Sequence, residues 1–551
     1  MSRIWLLILA IGICFSSEIY AQKTKGIPPE KPKLIIGIVV DQMRYDYLTR
    51  FYDKFESNGF KRFMNEGTFC RYTFLNYIFT QTGPGHASIF TGTTPSHHGI
   101  VSNEWYIPLK KQKVYCVDDA KVNTVGSNSN NGKYSPQYLM TTTFGDQLRL
   151  HYLNQSKVIS ISLKDRAAIL PGGKNPNAAY WYDDVSGNFI TSTYYMETLP
   201  VWVEEFNAKK LADLYLSRLW TTVRPINEYT ESISDSNKYE KGFGNNQFVL
   251  PYDLTFVSKK NKNEKDYSIL KLTPFGNTLV HDFAIATIIN EQLGKDNIPD
   301  FLTISFSATD YIGHRFGPRS VEVEDTYLRL DKEIAHLLDF IDSELGKENV
   351  LIFLTADHGV SDNPTYLNDM NMSGGVFKQF YALSLLRTYL NATYGEGEWV
   401  LGYSEQQIFL NRNLIEDAKL SLKDVQEKVA SFMIQFNGVA NAVTAYSLQY
   451  QNYTDGLLNA MQNSFNPKRS GDVLIALDPG WIEDSSTMFD HNSFYTYDTH
   501  VPLLWYGWKI PRSAIVQKVN IIDIVPTLAA FLQIEVPMGC TGVPIQELLE
   551  H

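Results

Sequence analysis

Cysteine is scarce in this chain of 551 residues, which contains four. One of them, Cys14, lies near the N-terminus, so Cys70, Cys116 and Cys540 can form at most one disulfide. A small disulfide-stabilised scaffold is therefore excluded. Positive charge is also in deficit, with 49 Lys and Arg against 60 Asp and Glu and a formal net charge of −11. A general affinity for nucleic acid or for anionic membranes is not expected of such a chain.

Long hydrophobic runs are absent after the first residues. Ile4 to Phe15 is almost wholly apolar, follows the basic Arg3 and gives way to small and polar residues up to Ala21. This pattern predicts a secretory signal peptide over residues 1–21, because its apolar core is too short to span a bilayer. An uncleaved N-terminal anchor is the alternative. We expect a periplasmic or secreted protein with no membrane attachment after cleavage.

Short apolar runs alternate with helical patterns along the rest of the chain. The runs are apolar at successive positions, which is typical of parallel strands buried on both faces. They are Leu34–Val40, Val158–Leu163, Phe301–Phe306, Val350–Leu354 and Val473–Leu477. The clearest helix spans Val321 to Leu345, with Ser320 as its N-cap and Gly346 at its end. Strands that alternate with helices indicate an α/β sheet covered on both sides.

Two segments interrupt this alternation. Residues of about 167–275 are rich in Tyr, Trp, Asn, Gly and Lys, and residues of about 362–470 are similar but include a helical stretch at Leu420–Phe436. We expect one catalytic domain over residues 22–551, in which both segments are insertions that cap the active edge of the sheet. Independent domains on linkers are the alternative.

Charged side chains follow four of the predicted strands. Asp41 follows the first, and Lys164 and Arg166 follow the second. Asp310 follows the third, and the pair Asp357–His358 follows the fourth. Ligands of open α/β sheets bind at the carboxyl ends of the strands. A single Asp after a strand is usually a turn former, but charged residues after four separate strands together predict a functional site.

Some of these residues have metal-ligand spacing. Asp310 and His314 are four residues apart, which places both on one helix face. Further on, "FDHNSFYTYDTHVPLLWYG" offers His491 and His500 as late ligands. Carboxylate oxygen and imidazole nitrogen suit zinc at a catalytic site. With Asp41, Asp357 and His358, the pair Asp310–His314 and one of the two late histidines would fill two metal sites with three ligands each.

Thr82 is the candidate nucleophile. It precedes Gly83, Pro84 and Gly85, which are expected to form a turn before a helix in "TQTGPGHASIFTG". A Thr in this place is often only a helix N-cap. A hydroxyl at a helix N-terminus is also well placed to attack phosphorus, since the backbone N–H groups favour phosphate oxygens.

Seven motifs in register resemble the alkaline phosphatase superfamily, over about residues 33–545. They are "VDQMRYDYL", "TQTGPGHASIFTG", "HHGIVSNEWY", "SLKDRAA", "SATDYIGHRFGP", "TADHG" and "DHNSFYTYDTHVPLLWYG". The resemblance is to the bacterial periplasmic phosphatases of this superfamily, which are related to the type I phosphodiesterase/nucleotide pyrophosphatase group. It implies a three-layer α/β/α sandwich with a mainly parallel central sheet and inserted cap segments.

The resemblance also implies roles for individual residues. One zinc ion would be held by Asp41, Asp357 and His358, and a second by Asp310, His314 and His491. Thr82 would lie between the two ions, bind metal and become transiently phosphorylated. The phosphoryl oxygens would be contacted by Asn103, Lys164 and Arg166. His491 is preferred over His500, which is expected either to support the ligands from behind or to be structural. His86 is expected on the Thr82 helix without touching the site.

The predicted function is hydrolysis of small-molecule phosphate monoesters by a monomeric enzyme with two Zn²⁺ per chain. Lys164 and Arg166 favour a dianionic monoester over a singly charged diester. A nucleotide pyrophosphatase/phosphodiesterase is the main alternative. A sulfatase is disfavoured because neither Cys70 nor Cys116 lies in a C/S-x-P-x-R motif. A manganese-dependent mutase is also disfavoured, because such enzymes are normally cytosolic and the predicted signal peptide indicates export.

Overall fold

A computed structural model describes residues 28–550 except residues 245, 262–263 and 485–487. The predicted signal peptide lies outside the described residues. Within the described ranges, no helix combines the length and the apolar character needed to cross a membrane. The three cysteines in this part of the chain are not disulfide-bonded.

The strands of the two larger sheets lie along the whole chain. They are β1 (Leu34–Val40), β2 (Thr68–Phe74), β3 (Thr124–Val125), β4 (Val158–Ser162), β5 (Ala178–Asp183), β6 (Asn188–Ser192), β7 (Asp300–Phe306), β8 (Val350–Thr355), β9 (Val400–Ser404), β10 (Gln407–Leu410), β11 (Val439–Thr444), β12 (Val473–Leu477), β13 (His500–Gly507) and β14 (Ser513–Asn520). Shorter strands pair elsewhere, as in Glu104–Ile107 with Gln112–Tyr115.

The central sheet has ten strands in the order β14-β2-β13-β8-β1-β7-β4-β5-β6-β3. Its middle, from β8 to β5, is parallel, whereas β13 runs antiparallel to β8 and β6 runs antiparallel to β5. Strand β1 is buried at every position because β7 and β8 flank it and helices cover both faces. The predicted α/β class is confirmed.

The helices of seven residues or more lie on the two faces of this sheet and in the second predicted insertion. They are α1 (Phe60–Glu66), α2 (Thr82–Thr91), α3 (Phe144–His151), α4 (Asp165–Gly172), α5 (Val201–Ala208), α6 (Phe275–Asn290), α7 (Ala308–Phe316), α8 (Val321–Glu344), α9 (Gln379–Tyr394), α10 (Leu422–Met433), α11 (Gly456–Ser464) and α12 (Ile524–Leu532). Helices α2, α3, α4 and α12 pack together in one layer, and α1, α5, α6, α7 and α8 pack in the other. The sheet between them completes three layers.

The longest helix, α8, begins and ends where the sequence predicts. The Ser320 side chain accepts a hydrogen bond from the backbone N–H of Val323, which caps the N-terminus. Gly346 follows the C-terminus with φ of 86°, a left-handed conformation that costs glycine little.

One predicted strand belongs to a different sheet. β12 does not lie in the parallel sheet; it pairs antiparallel with β10 and β11 in a four-stranded sheet of order β9-β10-β12-β11, which we call the cap sheet. One face of the cap sheet packs on α9 and α10, and the other packs on α11 and on Ile78 and Phe79. Burial on both faces explains why β12 has the apolar pattern of a parallel strand.

The first predicted insertion includes part of the central sheet. Its residues 178–192 form β5 and β6 of the central sheet. Part of the segment after Ser192 packs against the helices rather than over the sheet edge: the Trp220 indole N–H donates to Asp325 of α8 over 2.9 Å. The second segment, 362–470, supplies three of the four cap-sheet strands together with α9, α10 and α11.

Candidate active site

Four adjacent strands, in the order β8-β1-β7-β4, deliver polar residues to one edge of the central sheet. Asp41 follows β1 directly, and Asp357 and His358 follow β8. Asp310 lies in α7, which begins just after β7, and Lys164 follows β4. The order of these four strands therefore places the polar residues that follow them at one edge of the sheet.

Thr82 is the first residue of α2 and is 1% exposed. Gly83, Pro84 and Gly85 form the first helical turn, not a separate turn before the helix as the sequence suggested. A Cβ on Gly85 would lie 2.7 Å from the backbone oxygen of Asp357, so glycine permits the helix to approach the Asp357 loop closely. The N-cap position belongs to Gln81, so the Thr82 hydroxyl is not used as a cap.

Asp41, Asp357 and His358 form a first group of possible metal ligands. One ligand atom from each lies within 4.8 Å of the others, and all three side chains are fully buried. The Nδ1 of His358 is 2.9 Å from the carbonyl of Gly359, which orients Nε2 toward the carboxylates. Asp41 Oδ1 and His358 Nε2 have no hydrogen-bond partner among the described residues. Buried, unpartnered carboxylate and imidazole atoms fit a bound cation.

Asp310, His314 and His491 form a second group. His314 Nε2 lies 3.3 Å from Asp310 Oδ1, and His491 Nε2 lies 3.8 Å from the same oxygen. The two Nε2 atoms are 3.2 Å apart. Each ring contacts a backbone carbonyl through Nδ1, that of Phe489 for His314 and that of Thr80 for His491. Both Nε2 atoms are therefore directed away from these carbonyls and toward a shared position that a metal ion could occupy.

The two groups adjoin each other. The imidazole rings of His358 and His491 are stacked with centroids 3.8 Å apart. Asp310, His358 and His491 also have ligand atoms within 4.8 Å of one another. Burial, and then the neighbouring Asp357, raises the pKa of Asp41 to about 7. This crowding of buried carboxylates favours cations at both groups.

Lys164 and Arg166 bring positive charge to the Thr82 hydroxyl. Lys164 Nζ donates to Thr82 Oγ1 over 3.0 Å and to Asp310 Oδ2 over 2.6 Å, and lies 2.8 Å from Asp41 Oδ2. Burial alone would lower the pKa of Lys164, but Asp310 and Asp41 hold it above its ordinary value. Arg166 Nη2 lies 3.5 Å from Thr82 Oγ1, and its Nη1 donates to the Tyr115 hydroxyl over 2.9 Å.

Asn103 lies beside the start of α2. Its Oδ1 accepts a hydrogen bond of 2.8 Å from the backbone N–H of Gly83. Because the carbonyl end of the side-chain amide is engaged there, the NH₂ end is the group left to donate to a ligand.

Sequence reasoning missed several residues around these groups. His86 was expected not to touch the site, but its Nδ1 lies 3.2 Å from Asp357 Oδ2 and its Nε2 lies 2.9 Å from Ser305 Oγ. The four-residue spacing from Thr82 was the available signal, since it puts both residues on the inner face of α2. Gln42 donates to Asp310 Oδ1 over 2.8 Å, and Asp490 lies with His314 and His491.

His500 lies outside both ligand groups. Its ring stacks between Tyr45 and Phe74, with centroids 4.0 and 4.6 Å away. Its Nε2 lies 2.9 Å from the carbonyl of Arg71. These contacts connect the start of β13 to β2. Of the two late histidines, His491 is the one that lies beside Asp310.

The chain is similar to known proteins over most of its length. The profile of the family described as type I phosphodiesterase/nucleotide pyrophosphatase matches residues 35–497. Alkaline phosphatase PhoV of Synechococcus elongatus is 40% identical over 100% of both chains. Alkaline phosphatase PafA of Elizabethkingia meningoseptica is 39% identical over 99% of this chain and 98% of its own.

A solved structure of wild-type PafA superposes with a TM-score of 0.88 at 39% identity, covering 94% of this chain and 99% of PafA. The chain therefore belongs to the type I phosphodiesterase/nucleotide pyrophosphatase family of the alkaline phosphatase superfamily, together with the PafA-like alkaline phosphatases.

Proposed function

We propose that this protein is an exported alkaline phosphatase that hydrolyses small-molecule phosphate monoesters through Thr82 and two zinc ions. Its full-length similarity to PhoV and PafA, both named alkaline phosphatases, supports the monoesterase activity. Residues 1–21 would direct export to the periplasm or beyond, and the remaining chain would act as one catalytic domain capped by residues 362–470.

The described residues fit two metal ions. Asp41, Asp357 and His358 would hold one ion, and the second group, Asp310, His314 and His491, would hold the other. Thr82 would add its hydroxyl oxygen as a further metal ligand. The unpartnered atoms Asp41 Oδ1 and His358 Nε2 support the first assignment. When bound, two zinc ions would neutralise charge on the attacking and leaving oxygens of an in-line displacement.

The chain's own residues would then act on the phosphoryl group. Thr82 Oγ1 would give up its proton to solvent and bond to phosphorus while the bond from phosphorus to the ester oxygen breaks. The ester oxygen would take a proton from solvent and leave as the alcohol. Water would then cleave the phosphothreonine, releasing phosphate and restoring Thr82. Lys164, Arg166 and the NH₂ of Asn103 would hold the phosphoryl oxygens during both displacements.

One observation carries the preference for monoesters. Two cationic side chains, Lys164 at 3.0 Å and Arg166 at 3.5 Å, flank the Thr82 hydroxyl. A monoester presents a dianionic phosphoryl group, whereas a diester presents one charge and a second ester group. Two cations at the equatorial oxygens therefore favour the monoester.

The test compares second-order rate constants for a phosphate monoester and a diester with the same leaving group, on zinc-loaded wild-type protein. We expect the monoester to react faster by orders of magnitude. Faster turnover of the diester would refute the monoesterase proposal and would favour a nucleotide pyrophosphatase/phosphodiesterase.

A further inference from the structure

Glu405 reaches the active site from the cap sheet, at the turn between β9 and β10. Ser404 pairs with Gln407, so Glu405 and Gln406 form a two-residue hairpin loop. Both are left-handed, with φ of 50° and 58°. Such turns favour Asn-Gly, because other side chains are disfavoured in this conformation. The turn therefore holds Glu405 in a left-handed backbone conformation that is unfavourable for a residue other than glycine or asparagine.

A chain of hydrogen bonds leads from Glu405 to the nucleophile helix. Glu405 Oε2 accepts from Gln81 Nε2 over 2.6 Å. Gln81 Oε1 in turn accepts from the backbone N–H of Asn103 over 2.7 Å. The Asn103 side chain then accepts from the N–H of Gly83, next to Thr82.

A carboxylate at the far end of this chain determines how Gln81 is oriented. Burial raises the pKa of Glu405 to about 7. Above that pH the ionised carboxylate only accepts hydrogen bonds, so Gln81 must turn its NH₂ group toward Glu405. Its carbonyl oxygen is then directed at the backbone N–H of Asn103. Without the carboxylate, the NH₂ end of Gln81 loses its acceptor, and only the backbone N–H of Asn103 still fixes the orientation of the amide. The backbone of Asn103 would then be held less firmly, because its own partner is free to move.

Asn492 adds a second connection. Its Nδ2 lies 3.3 Å from Glu405 Oε2, and its backbone N–H donates to Thr80 Oγ1 over 3.1 Å. The carboxylate thus joins the cap-sheet hairpin to the loop before α2 and to the residue after His491. No other carboxylate hydrogen-bonds the Gln81 side chain among the described residues.

We propose that Glu405 is a positioning residue: through Gln81 it fixes Asn103 in the place from which Asn103 contacts the phosphoryl group. This inference rests on the proposed function, in which Asn103 binds a phosphoryl oxygen. It assigns to the cap sheet a direct part in organising the catalytic edge of the central sheet.

A double-mutant cycle between Glu405 and Asn103 tests the coupling. Glu405→Ala should lower kcat/KM about tenfold, the loss expected when one hydrogen bond to a charged group is removed. In an Asn103→Ala background the same change should alter kcat/KM by less than about twofold, because the group it positions is already gone. Zinc content should stay at the wild-type value in all four proteins.

Two further variants separate positioning from folding. Glu405→Gln keeps an acceptor oxygen of the same reach and should recover most of the lost rate. Gln81→Met removes the middle of the chain without changing the cap and should reproduce the loss seen with Glu405→Ala. Glu398→Ala is the matched control, since this cap carboxylate is exposed and its one ion pair within the described part of the chain is with Lys111 on the surface.

Equal losses from Glu405→Ala with and without the Asn103 side chain would overturn the proposal and leave Glu405 a structural residue. An unchanged rate in Glu405→Ala or Gln81→Met would overturn it as well. The monoesterase proposal is judged separately, on wild-type protein. The cycle is run with whichever ester the wild type hydrolyses faster, so a phosphodiesterase result would not decide the role of Glu405.

Discussion

Removing both cations beside Thr82 should change the substrate preference of the enzyme. In the double variant Lys164→Ala, Arg166→Ala the hydroxyl loses a buried ammonium at 3.0 Å and a guanidinium at 3.5 Å. Lys164 is 2% exposed, so water replaces its charge poorly. A hydrogen bond to a charged group contributes about 1.5–3 kcal/mol, or about ten- to a hundredfold in rate.

We therefore expect monoester kcat/KM to fall by at least about a hundredfold, since the two contacts act on one group and need not add fully. The diester should lose about tenfold or less, because its phosphoryl oxygens carry less charge to be matched. The assay measures kcat/KM for both esters on zinc-saturated protein, with metal content determined in parallel.

Lys271→Ala provides the control. Lys271 also lies over the Tyr311 ring near the site but forms an ion pair with Asp184 instead of contacting Thr82. Its removal changes the net charge by the same amount as loss of Lys164, and both rates should stay within about threefold of wild type. Equal losses on the two esters in the double variant would refute our reasoning, because the pair would then maintain the fold and not bind the phosphoryl group.

Three other predictions concern metal, nucleophile and pH. Elemental analysis should find two zinc ions per chain, and His314→Ala should bind one fewer and lose most activity; a single ion in the wild type would contradict the two-metal site. Thr82→Ala should form no phosphoenzyme while retaining both metals, whereas Thr82→Ser should stay active; near-normal turnover by Thr82→Ala would exclude Thr82 as the nucleophile. Burial raises the pKa of Glu333 to about 8 from an ordinary 4.5, so this group's stabilisation is full below pH 4.5 and is lost as pH rises through about 8. Glu333→Gln should lessen that decline, measured as the free energy of unfolding in denaturant titrations between pH 4.5 and about 8. An unchanged pH profile would show that the pKa of the Glu333 carboxyl is not raised and that the group is already ionised in this range.

Much of the fold was predictable because burial on both faces leaves a clear apolar run. β1, β7 and β8 lie within a residue of their predicted bounds. The same signal misplaced β12, since the helices of the cap can bury a strand as completely as the central layers do. Strands β5 and β6 were missed because aromatic and polar residues interrupt their pattern. An apolar run therefore indicates that a strand is buried, but it does not indicate which elements bury it.

Some positions in the site follow from local sequence features, whereas others depend on tertiary packing. The positions of Asp41, Asp357 and His358 follow from strand ends, which are local features. Glu405 follows a cap-sheet strand and lies more than 300 residues from Gln81. Its approach to the site depends on how the cap docks, which no local pattern encodes.

The order of the ligand groups along the chain has a consequence for folding. Asp41 follows the first strand of the central sheet, whereas His491 comes after every strand of the cap sheet. Neither ligand group can be completed by a short N-terminal fragment, and the second group lacks a ligand until nearly the whole chain is present. Uptake of the second metal ion would thus be a late event in folding, and a chain truncated within the cap would retain the Thr82 hydroxyl without that ion. Enzymatic activity in this protein would therefore report on completion of the entire chain.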